Sequence, residues 1–265
     1  MSRWIEVAGN VFARRFAELD QTLGLVVGEE RCLLIDSGTD EVHGAAWLAA
    51  VREITPLPWT LLVTHAHWDH FFGTAALTPC PVWAHPSCRD EIADNAEEHR
   101  AHGLRARADR ADLAERMRVA RVVVPELLVD GPTELDLGGR TVRLLHPGRG
   151  HTDGDVVVHV PDTATLFAGD LVEQGAPPAI GSDSHVADWP STLDALLTLR
   201  PSVVVPGHGE PVDTVFVTTQ RDELAAVAGL CAEVAAGTLT VDEAVGRAPY
   251  PDGYVRLTLD RARTA

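Results

Sequence analysis

The segment LLVTHAHWDHFFG, residues 61–73, is the most informative stretch of the sequence for the fold. It places three histidines and one aspartate within six positions directly after an apolar run. The apolar run is predicted to form a buried strand. Since side chains alternate along a strand, His65 and His67 project to the same side and can bind one metal ion. Asp69 and His70 follow where the strand ends, and a change of backbone direction there lets them face a neighbouring position. One motif can therefore serve two metal ions.

The same pattern, an apolar strand that ends in a metal-binding side chain, recurs three more times along the chain. VRLLHPGRGH ends at His151, TLFAGD ends at Asp170 and SVVVPGH ends at His208. Each of these donors has Gly or Pro beside it, as a backbone that bends sharply near a ligand requires. Seven donors exceed the needs of one tetrahedral zinc ion. Imidazole and carboxylate groups without thiolate suit Zn²⁺ and are also compatible with Fe or Mn.

The rest of the chain alternates short strands with helices. Two-stranded segments are predicted over 24–38, 133–147 and 155–170, single strands over 81–85 and 202–209, and helices over 40–54 and 188–200. A helical insert is predicted at about 87–120 and a helical C-terminal tail at about 218–265. Strands interleaved with helices, many of them joined by hairpins, predict an α/β (α+β) fold with antiparallel or mixed sheets. No linker or repeat divides the sequence, so residues 1–265 are expected to form a single domain.

Composition narrows the expected partners and compartment. Acidic residues (39) outnumber basic residues (22), the net charge is −17, and every basic residue is an arginine. A nucleic-acid partner is not expected, because binding phosphates needs a basic field. No segment approaches the roughly 18 continuous apolar residues of a membrane span, and the N-terminus lacks an apolar stretch of signal-peptide length. With four scattered cysteines and no CxxC pair, the sequence predicts a cytoplasmic protein with no membrane partner.

The order of the motifs, HxHxDH followed by Gly-His-Thr, a Gly-Asp at a strand end and Gly-His-Gly, resembles the metallo-β-lactamase fold superfamily from about residue 20 to residue 210. The resemblance implies a four-layer αββα sandwich with two metal ions at one edge between the sheets, and Asp36 in LLIDSG matches the buried aspartate of the family. It also implies a ligand set in which Asp170 bridges two ions, the first held by His65, His67 and His151 and the second by Asp69, His70 and His208.

The resemblance further implies hydrolysis, because bound metals lower the pKa of a water molecule toward about 7 and polarise a scissile carbonyl. Asp69 is expected to be catalytic as well, orienting the attacking water or passing a proton to the leaving group. An aspartate at position 170 is typical of the thioesterase and lactonase branches. An ester, thioester or lactone with an uncharged acyl group is therefore the predicted small-molecule substrate. The absence of lysine argues against a glutathione thioester.

Four residues near the motifs are candidates for substrate binding on the walls of the pocket: Trp68, Phe72, His185 and Trp189. The helical insert is interpreted either as a lid over the pocket or as a solvated or dimer surface, and a homo-oligomer stays open as a hypothesis. Two other functions are retained as alternatives: a β-lactam hydrolase, and a redox enzyme with one iron ion that resembles the persulfide dioxygenases. The presence of both His70 and His208 favours hydrolysis over the second alternative.

Overall fold

The structure is a computed structural model that describes residues 2–263. Its first sheet has seven strands in sequence order: β1 Arg3–Ala8, β2 Val11–Arg15, β3 Thr22–Val27, β4 Cys32–Ile35, β5 Trp59–Leu62, β6 Val82–Ala84 and β7 Leu127–Leu128. The strands from β1 to β4 pair antiparallel, as short connections allow, whereas those from β4 to β7 pair parallel through helical crossovers. The sheet is therefore mixed, as predicted.

The second sheet has five strands in the spatial order β12, β11, β10, β9, β8. These strands are β8 Thr133–Asp136, β9 Thr141–Leu145, β10 Val157–Val160, β11 Thr165–Glu173 and β12 Val203–His208. Strands β8 to β11 form antiparallel pairs, and β12 lies parallel to β11. The two hairpins predicted over 133–147 and 155–170 are confirmed, with turns at Gly138 and Gly139 and at a short 3₁₀ helix over Pro161–Thr163.

Nine α-helices connect and cover the strands within the described part of the chain. They are α1 Glu41–Ile54, α2 Trp68–Phe71, α3 Thr74–Leu77, α4 Pro86–Ala106, α5 Ala111–Val119, α6 Trp189–Thr198, α7 Thr214–Ala235, α8 Val241–Val245 and α9 Asp252–Ala262. The Asp40 side chain caps α1 by accepting from two backbone N–H groups of its first turn. Helices α4 and α5 fill the predicted insert, and α7 to α9 fill the predicted tail up to residue 263. None of the helices in residues 2–263 is both long and apolar enough to cross a bilayer.

Three groups of buried side chains show how the layers stack. Between the sheets, the inward faces meet in one apolar cluster, which includes Val26, Leu33, Leu62, Leu144, Val158 and Phe167. The outer face of the first sheet packs against α1 and α4, and that of the second sheet against α6, α7 and α9. The order helix, sheet, sheet, helix confirms the predicted four-layer αββα sandwich. The carboxyl-terminal parts of β5, β11 and β12 carry or precede His65, Asp170 and His208, so these strand ends lie at one edge of the sandwich.

Candidate metal centre

The seven predicted donors converge at this edge of the sandwich. They form two groups, and within each group the potential ligand atoms all lie within 4.8 Å of one another. The first donor group consists of His65, His67, His151 and Asp170, and the second donor group consists of Asp69, His70 and His208. None of the four cysteines belongs to either group. The structure therefore brings together every residue that the sequence assigned to metal binding.

The local backbone around His67 explains how one motif supplies both groups. His67 has extended dihedral angles (φ −90°, ψ 144°), and helix α2 begins at the next residue. Strand β5 ends at Leu62, earlier than predicted, so His65 and His67 lie in the short segment between β5 and α2, from which both reach the first donor group. The helical turn then directs Asp69 and His70 to the second donor group, as the change of direction predicted. Gln21 holds this turn in place, because its side-chain amide donates to the carbonyl oxygen of Asp69.

Asp170, a member of the first donor group, also borders the second. Its Oδ2 atom is 3.7 Å from His65 Nε2, 3.6 Å from His151 Nε2 and 3.4 Å from His208 Nε2. Its Oδ1 atom is 3.3 Å from His70 Nε2. The carboxylate thus faces nitrogen atoms of both groups, which is the position that a shared ligand needs.

Gly207 explains why the strand before His208 ends in Gly-His. A Cβ atom at position 207 would overlap Oδ1 of Asp170 on the neighbouring strand β11. Only glycine leaves room for the carboxylate there. The Gly beside this donor thus has a steric function in addition to bending the chain.

The unpaired atoms of the cluster fit a bound cation. His65 Nε2 and Asp170 Oδ1 are buried, and neither has a hydrogen-bond partner among the described residues. His67 Nδ1 and His151 Nε2 are only 2.7 Å apart, and the Nε2 atoms of His70 and His208 are 3.3 Å apart. Because buried polar atoms almost always have partners, a cation that accepts these lone pairs completes the site. The donor set therefore fits a divalent metal.

Burial and the two carboxylates determine the charge of the cluster. Burial lowers the pKa of His65 well below its usual value, and burial together with His67 lowers the pKa of His151 to about 4. Burial opposes protonation of His70 too, but Asp170 and Asp69 raise its pKa well above the usual value. The acidic side chains thus favour a proton on that imidazole. A divalent cation would displace it, because histidine binds metals in its neutral form.

The second donor group is supported by the core of the sandwich. His70 Nδ1 lies 2.8 Å from Oδ2 of Asp36, the buried aspartate at the end of β4. Asp36 also accepts from the backbone N–H of Thr64 at 2.7 Å and from its hydroxyl at 2.9 Å. His208 Nδ1 donates to the carbonyl oxygen of Leu19 at 2.8 Å. These contacts leave both Nε2 atoms facing the cluster, as metal ligands require.

The first donor group is supported by a loop that the sequence did not connect with the metal. This loop, residues 174–188, follows β11. His151 Nδ1 donates to the carbonyl oxygen of Ala179 at 3.1 Å, and His67 Nε2 lies 2.8 Å from Oδ2 of Asp183. No local motif marks Asp183, because its partner is 116 positions away. Its position in a loop just after a ligand-bearing strand is the only signal in the sequence.

A cavity of about 690 Å³ opens in front of the donors. One wall is α4, which contributes Glu98, His99, His102 and Arg105, and another is the segment 179–183 of the loop. Gly253 and Tyr254 at the start of α9 complete the lining. The insert thus lies beside the donors, as one of its two interpretations expected, and the tail also reaches the cavity. The sequence did not predict this contribution of α9.

Two of the four predicted substrate-binding residues are placed elsewhere. Phe72 is fully buried in the cluster between the first sheet and its helices, where its ring lies tilted against that of Phe71 with centroids 4.3 Å apart. Trp189 is fully buried against the second sheet, and its indole N–H donates to the carbonyl oxygen of Leu171. Neither lines the cavity, because nearness in sequence to a ligand does not decide which side of the backbone faces the solvent. Phe72 and Trp189 are therefore core residues, and the prediction that they bind substrate is wrong.

The other two predicted substrate-binding residues lie at cavity surfaces. Trp68 is among the residues that line the main cavity. His185 lines a second cavity of about 270 Å³, together with Thr152 and Ser184. The second cavity adjoins the first, since Asp183 lines both. Binding of substrate by Trp68 and His185 stays a prediction.

Comparison with known proteins agrees with this geometry. Residues 18–208 match the family model of the metallo-beta-lactamase superfamily, and the chain belongs to that family. It is 27% identical over 196 residues to a metallo-beta-lactamase type 2 from Bacillus cereus, and the aligned region covers 72% of this chain and 68% of that protein. It is also 27% identical over 222 residues to the acyl-coenzyme A thioesterase MBLAC2 from Gallus gallus, covering 79% of this chain and 80% of the relative.

A solved structure shares the fold. The metallo-beta-lactamase from Pontibacter korlensis superposes with a TM-score of 0.67 at 21% identity, covering 85% of this chain and 99% of that one. Family, fold and donor cluster together define the chain as a metal-binding hydrolase of the metallo-beta-lactamase superfamily.

Proposed function

We propose that the protein is a binuclear zinc hydrolase that cleaves an ester, a thioester or a lactone. The observation that carries this proposal is the position of Asp170, whose two oxygens face nitrogen atoms of both donor groups at 3.3–3.7 Å. A carboxylate so placed suits two ions that share one ligand. Donors without thiolate favour zinc, while iron or manganese would also accept them.

The donor groups divide the ligand set. The first ion would be held by His65, His67 and His151, the second by Asp69, His70 and His208, with Asp170 shared. When bound, such ions lower the pKa of a water molecule toward about 7 and polarise a carbonyl oxygen. Protein side chains would carry out the remaining proton transfers of the hydrolysis.

Asp69 is the side chain that would move the proton. Burial opposes its ionisation, yet His70 and His208 lower the pKa of Asp69 to about 2, so the carboxylate is charged near neutral pH. Asp69 also lines the cavity, and its Oδ2 atom is 3.2 Å from His208 Nε2. The carboxylate would orient the attacking water, accept its proton and pass that proton to the leaving oxygen or sulfur. This gives Asp69 a catalytic role in addition to metal binding.

The cavity wall supports an acyl substrate. Leu19, Ile180, Trp68 and Tyr254 give it apolar surface beside the donors, and Arg105 is the only basic side chain other than histidine among the described residues that line it. These apolar side chains would contact an uncharged acyl chain, while the acidic and histidine side chains that make up most of the lining lie around the donors and along α4. The thioesterase MBLAC2 among the relatives agrees with a thioester. A small molecule, and neither nucleic acid nor membrane, is the partner that we propose.

Metal analysis and a substrate panel test the proposal together. The protein is purified without added metal, its metal content is measured, and it is assayed on p-nitrophenyl esters, acyl thioesters, lactones and a chromogenic cephalosporin. Two zinc ions per chain with turnover of an ester, thioester or lactone support the proposal. Cephalosporin turnover alone would replace it with the lactamase alternative, and a single iron ion without hydrolysis would replace it with the dioxygenase-like one.

A further inference from the structure

The loop 174–188 contacts the histidine side chain of the first donor group that is most accessible to solvent. The His67 side chain is 21% exposed, whereas those of His65 and His151 are 1% exposed. Packing therefore fixes His65 and His151, but His67 needs a specific partner to hold its ring. Asp183 supplies that partner through its Oδ2 atom, 2.8 Å from His67 Nε2.

This contact determines which nitrogen of His67 faces the metal site. A carboxylate only accepts, so in the neutral ring that a metal binds Nε2 would donate its proton to Asp183 and Nδ1 would carry the lone pair. Nδ1 is the atom that lies 2.7 Å from His151 Nε2, inside the first donor group. A carboxylate that accepts from one ring nitrogen fixes the tautomer, orients the ring and makes the other nitrogen a better ligand. Without Asp183, His67 could rotate into the open cavity.

Four hydrogen bonds hold the loop in the position that this contact needs. Ser184 Oγ donates to the carbonyl oxygen of His151 at 2.9 Å and accepts from the backbone N–H of Gly181 at 2.9 Å. Ala179 accepts from His151 Nδ1, and Arg261 of α9 donates to the carbonyl oxygen of Gly181 at 2.8 Å. The segment that carries Asp183 is thus tied to a ligand on one side and to the C-terminal helix on the other. These hydrogen bonds, and not only the contact with His67, hold Asp183 beside the first donor group.

We propose that Asp183 is a positioning residue of the metal centre, which presents His67 Nδ1 to the first ion. The inference rests on the proposed function, since it requires a metal at the first donor group. Asp183 itself contacts the ligand and not the ion. Its side chain is 46% exposed, so it contributes little to the core, and its removal should change metal binding more than folding.

The test compares Asp183→Ala and Asp183→Asn with the wild-type chain and a matched control, Asp188→Asn. Asp188 lies in the same loop, its side chain is 42% exposed, and the partner of its carboxylate is Arg149, at 2.5 Å, instead of a histidine donor. Each full-length apoprotein is titrated with Zn²⁺ in competition with a chromophoric chelator, and its Tm is measured without metal. Co²⁺ absorption spectra then report the ligand geometry of each site.

Asp183→Ala should lower the affinity for one of the two zinc ions by about 10- to 100-fold, the usual effect of removing a partner of a ligand. The affinity for the other zinc ion should stay within about threefold of the wild-type value. Asp183→Asn should recover part of the loss, because the amide oxygen still accepts from His67. Asp188→Asn should match the wild type, and all four apoproteins should share one Tm within about 2 °C.

Unchanged zinc affinity in Asp183→Ala would overturn the inference and leave the proposed function intact. A lower Tm of the Asp183→Ala apoprotein, with both ions weakened equally, would also overturn it, because that pattern indicates a structural role. A wild-type chain that binds no zinc, iron or manganese would instead refute the proposed function.

Discussion

The first and second donor groups lie side by side, but their supporting contacts come from different parts of the molecule. In the second donor group, His70 is fully buried and held by Asp36 at the end of a central strand. In the first donor group, the side chain of His67 is 21% exposed and held by Asp183 in a loop. Formation of the sheets places Asp36, whereas Asp183 also needs the loop 174–188 in its observed position. We infer that core stability governs one group and loop geometry the other.

Asp170 belongs to both halves of this comparison, so its removal should have the largest effect. Asp170→Ala should lower the affinity for both ions by more than about 100-fold and abolish measurable hydrolysis, because no other side chain replaces the shared carboxylate. Metal content and kcat/KM measure the result. An effect confined to one ion would show that Asp170 does not bridge, and the two groups would then be independent sites.

His208→Ala separates the two groups. It should reduce the metal content from two ions to one per chain and lower kcat/KM by at least about 100-fold, since the second ion loses a direct ligand. The Co²⁺ spectrum of the remaining ion should keep the features of the first site. His151→Ala is the reciprocal variant and should leave the second site. Full metal content in His208→Ala would show that the ligand assignment is wrong.

Asp36→Asn tests the core support of the second donor group. Both Asp36 oxygens accept from N–H or O–H donors, so the NH₂ of an asparagine would face a donor in either orientation. Asn also tolerates the positive φ of 63° at this position. We expect the free energy of unfolding of the apoprotein to fall by about 1–3 kcal/mol and the affinity for one ion by about 10- to 100-fold.

Urea unfolding and zinc titration of the same samples check both expectations. Asp183→Asn is the contrasting variant, because it should change zinc affinity without changing apoprotein stability. If Asp36→Asn unfolds like the wild type, the proposed difference between core and loop support is wrong.

Tyr254→Ala should have the smallest effect. Tyr254 lines the cavity from α9, so its truncation should raise the KM for a long-chain acyl thioester by about 3- to 10-fold, the loss expected for part of an apolar contact. Turnover of an acetyl thioester should stay within about twofold. Leu257→Ala on the same helix is the control, because Leu257 is 59% exposed. Equal effects on both substrates would place the acyl chain elsewhere.

The motifs marked the seven candidate donors, which the structure brings together, because residue types and turn residues can be recognised locally. The HxH spacing marked His65 and His67 as a pair, although the strand ends before them at Leu62, and the residues Gly and Pro next to His151, Asp170 and His208 marked the bends. The hairpins were equally predictable from turn residues between apolar runs. The β1–β2 hairpin was not predicted, since few of its side chains are fully buried and its apolar pattern is weak.

The sequence therefore indicated the family and, through that resemblance, the four-layer fold and the seven candidate donors, because the order and spacing of residue types in the motifs are local features. Only the tertiary structure decided which side chains surround the donors. It placed Phe72 and Trp189 in the core, and Asp183 and Tyr254 beside the metal centre. The physical reason is that each of these placements depends on contacts between segments far apart in the chain, and no local pattern encodes the partner of a long-range contact.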